Sequence, residues 1–176
     1  MEDKNIERKC SDVYERLTKT LMEQKLEIAV MESCTSGCIA SLITDTEGAS
    51  AVMKGSLVTY SNWAKVKCGV PSVLIEKYGV YSRETAGAMA ITVREYFESD
   101  IAAGVTGSLG RADPANEDSV PGQVYFAVDY LGEVHLFYMG DVFGRDRHES
   151  KLIIAKRVAE EILNILKATE QKRPLQ

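Results

Sequence analysis

Leu26-Glu27-Ile28-Ala29-Val30-Met31-Glu32-Ser33-Cys34-Thr35-Ser36-Gly37 carries a short apolar run into a hydroxyl, and the helix-like stretch 38–44 follows at once. Leu26 to Met31 is short and continuously apolar apart from Glu27, so it reads as a buried strand, with Ser33 on the strand-to-helix turn. A turn of this kind lifts a hydroxyl above the sheet edge and points the first backbone N–H groups of the helix at whatever that hydroxyl attacks. Ser33 is therefore a candidate nucleophile. A plainer role also stays open to it, that of an N-cap accepting one N–H bond.

A second cluster, Tyr60-Ser61-Asn62-Trp63-Ala64-Lys65, follows another strand-like run, 56–60, and offers a phenol and an amine five residues apart. If helix begins near Ser61 or Asn62, Lys65 falls about one turn later, and its amine can fold back towards the strand ends. On its own Lys65 reads as a solvated surface lysine. Both groups stand at strand ends, where open α/β sheets hold their ligands, and together they point to a serine activated by lysine.

Working outward, Ile6, Cys10, Val13, Tyr14, Leu17, Leu21 and Met22 recur at helical spacing and predict an amphipathic N-terminal helix. Ser82-Arg83-Glu84 supplies a cap and a first-turn acid for a helix with the apolar stripe Ala86, Met89, Ala90, Val93 and Phe97. A third strand, 101–106, ends at Thr106-Gly107. Runs 123–129 and 133–139 flank Tyr130-Leu131-Gly132 and predict a hairpin. Ile154, Ala155, Val158, Ile162, Ile165 and Leu166 predict a long closing helix. These elements predict a single-domain three-layer α/β/α sandwich with a mixed sheet over 1–170, and 171–176 as a frayed tail.

Glu-Ser-Cys-Thr-x-Gly at Glu32 to Gly37, Tyr-Ser-Asn-x-x-Lys at Tyr60 to Lys65, and Val105-Thr106-Gly107, in that order, resemble the CinA C-terminal domain family, the nicotinamide-nucleotide amidohydrolases. The resemblance runs from about Leu17 to about Leu166. It implies a Ser-Lys-Tyr amidase of pyridine nucleotide salvage that converts nicotinamide mononucleotide to nicotinate mononucleotide and ammonia. Ser33 is then the nucleophile, Lys65 the base and Tyr60 its partner. Tyr60 has three possible tasks: relaying the proton, holding the amine or touching substrate. Substrate contacts are expected from Cys34, Thr35, Gly37, Asn62, Thr106, Gly107, Arg111 and Arg147. The resemblance also implies a homo-oligomer. Many relatives carry a further N-terminal domain of different activity, which this chain is expected to lack.

Departures from the family pattern fall near the expected substrate site. Ser36 replaces the first of a usual glycine pair, Arg111 stands where proline is common in a loop recast over 108–122, and Arg145 precedes Asp146-Arg147 where glycine is usual.

The chemistry asks for a nucleophile, a base and a home for charge on the amide oxygen. Lysine serves as base only when its amine is neutral, which needs burial or positive neighbours to lower its pKa. The N–H groups of Cys34, Thr35 and Ser36 are the oxyanion candidates. No P-loop or GxGxxG pattern is present, so a substrate phosphate falls to Thr106, Gly107 and Ser108 with Arg111 or Arg147. The acyl-enzyme route requires no metal and no cofactor.

With 176 residues and 45% hydrophobic content the chain can fill one core, and a formal net charge of −5 argues against a general nucleic-acid surface. Cys10, Cys34, Cys38 and Cys68 lack metal-site or paired CxxC spacing and read as reduced thiols. Cys34, beside Ser33, is an alternative nucleophile, though neither His135 nor His148 lies in a partner motif. The polar opening and the absence of a run near ~20 apolar residues predict a cytoplasmic protein with no membrane partner. A second function class stays open, a catalytically silent binding protein linked to competence or DNA uptake through contact with a recombination protein.

Overall fold

The structure, a computed structural model, describes residues 3–110, 113–117 and 119–172. Its sheet contains β2 (Met53–Val58), β1 (Ile28–Glu32), β3 (Ile101–Gly107), β4 (Val124–Tyr130) and β5 (Glu133–Met139) in the order β2-β1-β3-β4-β5. β1 runs parallel to both β2 and β3, whereas β3, β4 and β5 alternate antiparallel, so the sheet is mixed.

Alternation along the strands decides which face each helix covers. Ile28 and Val30 of β1, Ile101, Ala103 and Val105 of β3, and Val124, Phe126 and Val128 of β4 all point to one face. There they pack against α1 (Asp3–Gln24), α2 (Cys38–Thr44) and α6 (Arg147–Lys172). The opposite face presents small residues, Ala29, Ala102, Gly104 and Ala127, to α5 (Arg83–Phe97). A Cβ at Gly104 would stand 2.5 Å from both the Ala86 carbonyl and the Ala90 nitrogen. That missing side chain lets α5 lie directly on β3. The layers are helix, sheet, helix, as the sequence predicts.

Most predicted elements stand within two or three residues of their expected positions. The first strand starts at Ile28 rather than Leu26, and the second ends at Val58, so Thr59 and Tyr60 lie in the following turn. α6 takes in Gln171 and Lys172, and the remainder of the predicted tail, 173–176, lies outside the described residues. α4 (Ser72–Tyr78) was not anticipated, because it buries no residue and so carries no clear apolar stripe. The predicted helix from Ser61 is α3 (Asn62–Lys67), with the Ser61 hydroxyl accepting from the Ala64 N–H. All four cysteines are free. Among the described residues no helix is long and apolar enough to cross a membrane.

Candidate active site

Parallel pairing of β1 with β2 and β3 brings three strand ends to one edge. The Ser33 N–H donates to the Val105 carbonyl at 3.0 Å, and the Thr59 N–H donates to the Glu32 carbonyl at 2.8 Å. Ser33 is thereby pinned between the ends of β3 and β2. Beneath it the buried Glu32 carboxylate accepts from the backbone N–H groups of Gly37 at 2.9 Å, Ile39 at 3.2 Å and Ala40 at 3.0 Å. An anion folded onto these otherwise orphaned donors holds the turn, since they are the groups a helix leaves unpaired at its start. In the sequence Glu32 stands within the motif without a role of its own. A carboxylate inside an apolar strand was the signal that could have found it.

The turn itself needs left-handed backbone at two successive residues, Ser36 with φ 50 and Gly37 with φ 90. α2 begins only at Cys38, and the Ser36 N–H donates to the Ser33 carbonyl at 3.1 Å. Ser36 is therefore removed from the oxyanion candidates. The N–H groups of Cys34 and Thr35 meet no backbone carbonyl among the described residues.

Lys65, 1% exposed, reaches back from α3 to place its Nζ 3.0 Å from Ser33 Oγ and to donate to the Thr59 carbonyl at 2.8 Å. Burial lowers its pKa to about 8. The ammonium is costly there because desolvation disfavours the charged form. Cys34 is 3% exposed, and burial pushes its thiol up to about 12. It stays protonated at neutral pH, and the Lys65 amine meets the Ser33 oxygen instead.

Ser33 and Cys34 open into a cleft of about 210 Å3 whose walls include Tyr60, Tyr81, Gly107, Asp113 and Arg147. Tyr60, 59% exposed, accepts a 2.8 Å bond from Arg147 Nη2, so its phenol meets that guanidinium rather than the Lys65 amine. Arg147 Nη1 donates to the Leu109 carbonyl at 2.9 Å. Both acceptors are neutral. Asp146 sets Arg147 at the opening of α6 by accepting from the Glu149 N–H at 2.8 Å.

Other predicted contacts have different occupations. Thr106 is fully buried and its hydroxyl donates to the Val80 carbonyl at 2.9 Å, which positions the segment leading to Tyr81. Asn62 donates to Asn116 Oδ1 at 2.8 Å. Thr35 is buried with its hydroxyl unpartnered among the described residues, and with Gly37 it lines a separate groove beside His148 and Lys151. Arg111 lies outside the described residues. Tyr81, Asp113 and Asn116 were missed: they occupy irregular segments, and no periodicity marks them.

No group of three or more His, Cys, Asp or Glu among the described residues is arranged to hold a metal. The described geometry thus offers a buried hydroxyl-amine pair, two N–H groups beside it and one cation across a cleft, a set suited to acyl transfer.

Comparison with known proteins agrees with this fold. A "CinA-like protein" of Citrifermentans bemidjiense is 40% identical over 140 residues, 79% of this chain and 34% of its own length. The chain spans about a third of the length of such curated relatives. Among solved structures, the competence/damage inducible protein CihA of Agrobacterium tumefaciens superposes with a TM-score of 0.79 at 28% identity, covering 89% of this chain and 94% of that one. A competence-damaged protein (CinA) superfamily protein of Escherichia coli gives 0.81 at 25% identity over 89% and 90%. The family model described as the CinA C-terminal domain matches residues 11–169, and the chain belongs to that family.

Proposed function

We propose that this chain is a nicotinamide-nucleotide amidohydrolase, which cleaves the carboxamide of nicotinamide mononucleotide to give nicotinate mononucleotide and ammonia. The observation that carries the reading is the 3.0 Å contact between the Ser33 hydroxyl and a buried Lys65 amine whose pKa is lowered to about 8. A neutral amine keeps two N–H groups and one lone pair. One N–H satisfies the Thr59 carbonyl, and the lone pair is left for the Ser33 proton.

Ser33 Oγ adds to the carboxamide carbon as its proton passes to Lys65 Nζ. The negative charge then gathers on the amide oxygen, for which the Cys34 and Thr35 N–H groups are the nearest candidates. Lys65 returns the proton to the leaving nitrogen, the C–N bond breaks and ammonia departs. Water, deprotonated by the same amine, then hydrolyses the acyl ester and restores Ser33. Arg147 is the cation we assign to the substrate phosphate, with Tyr60 orienting its guanidinium. The family resemblance favours a homo-oligomer, and the net charge of −5 is in keeping with a small-molecule partner rather than nucleic acid.

The names of the relatives, which speak of competence and damage induction, favour a second reading as a silent binding protein. Ammonia release from nicotinamide mononucleotide by the purified chain separates the two. Release is expected, falling by about 10³-fold or more in Ser33→Ala and by less than about tenfold in Cys34→Ala. Absence of release by the unaltered chain would leave the binding reading standing, and a dead but folded Cys34→Ala with an active Ser33→Ala would move the nucleophile to the thiol.

A further inference from the structure

Besides Arg147, the same cleft carries a carboxylate that phosphate recognition does not need. Asp113 Oδ2 accepts from the Tyr81 hydroxyl at 2.7 Å and from Asn116 Nδ2 at 2.6 Å, and Oδ1 accepts from the Ala115 N–H at 2.9 Å. Its own N–H meets Ser119 Oγ at 2.6 Å. Asn116 in turn accepts from Asn62, on the helix that carries Lys65. Asp113 is thus held in place from three segments of the chain. All of these donors are neutral, so they fix the carboxylate without cancelling its charge. They also hold its pKa below the usual carboxylate range, the Tyr81 bond contributing most.

An anionic ligand alone would be repelled by that charge. A ligand with a negative group at one end and a positive ring at the other would meet Arg147 with the first and Asp113 with the second. The ring would also lie between Tyr60 and Tyr81, whose aromatic faces attract cations. We propose that Asp113, positioned by Tyr81 and Asn116, is a specificity-determining residue that selects carboxamides on a cationic, N-substituted pyridinium ring over the same carboxamides on a neutral ring. This rests on the amidohydrolase reading and adds to it the charge state of the substrate ring.

The test compares nicotinamide mononucleotide with its 1,4-dihydro form, which keeps the carboxamide, ribose and phosphate but has a neutral ring. Dissociation constants are measured by calorimetry with Ser33→Ala, where turnover does not interfere. Ser33→Ala is expected to bind the cationic ring about tenfold more tightly than the neutral one. Adding Asp113→Asn should bring the two within about twofold, chiefly by weakening the cationic ligand, while Asp113→Glu should restore part of the preference. Equal weakening of both ligands by Asp113→Asn would show a loop clamp and overturn the proposal. So would equal affinity in Ser33→Ala itself, a result that does not depend on how well the second variant folds. Ammonia release by the intact chain is assayed alongside. Release without a charge preference sinks this inference alone, whereas neither release nor binding of the nucleotide sinks the amidohydrolase reading and this inference with it.

Discussion

Lys65 meets two opposing demands, a place beside Ser33 and freedom from its own proton. Burial supplies both, because the position that shields the amine from water also disfavours its ammonium form. With a pKa of about 8, roughly one amine in ten is neutral at pH 7, and the fraction climbs through the next two pH units. The kcat/KM for ammonia release is therefore expected to rise about tenfold per pH unit below 8 and to level off above it. Initial rates from pH 6 to 9.5 check this, and a plateau already reached at pH 6.5 would assign the base elsewhere. Lys65→Arg should be inactive across the whole range, since guanidinium does not deprotonate. Stability follows the same sign. Unfolded Lys65 holds its proton up to its ordinary value of 10.5, so between about pH 8 and 10.5 the unfolded chain binds more protons and folding gains as pH rises.

At the scale of an element, the Ser33 turn stands out for its left-handed backbone. Ser36 adopts φ 50, a region costly for a residue with a Cβ and open to glycine. Its side chain is exposed, so nothing packed is lost on removing it. Ser36→Gly is expected to stabilise the fold by up to about 1 kcal/mol, seen as a higher urea midpoint with an unchanged m-value. A lower midpoint would mean that the flexibility glycine adds to the unfolded chain outweighs the relieved strain. The turn is otherwise secured by the three N–H bonds to Glu32, a tertiary device made of residues adjacent in sequence. Its outline was legible for that reason: an apolar run, a hydroxyl and a glycine are local signals. α4 was not legible, because a seven-residue helix that packs only the half-buried Leu74 and Ile75 leaves too short a periodic trace.

Across the whole molecule, α5 is tied to the β4-β5 hairpin by Arg94, whose Nε stands 2.7 Å from Oδ2 of Asp129. Asp129 is 1% exposed and spends its other oxygen on the Gly132 N–H at 2.8 Å. Arg94→Met would leave that carboxylate buried without its cation, and about 3 kcal/mol of destabilisation is expected by chemical denaturation. A loss under about 1 kcal/mol would show that water reaches Asp129 once the guanidinium is gone. Alternating and helical apolar patterns, together with turn residues, were enough to order the strands and helices along the chain, because burying a face imposes its own period on neighbouring residues. The end of α6 was less legible, because helix ends are set by weak local preferences that packing of the preceding turns can extend. What the sequence by itself determined was thus the order of the elements other than α4, the three-layer class and the two local motifs that carry Ser33 and Lys65. Their meeting belongs to the tertiary structure: 32 residues separate them, and only parallel pairing of β1 with β2 sets the strand ends side by side. The same holds for Tyr60 beside Arg147, for Thr106 turned inward to Val80, and for Asp113 drawn into the cleft by Tyr81. Each depends on hydrogen bonds between segments distant in the chain, and no local spacing encodes those.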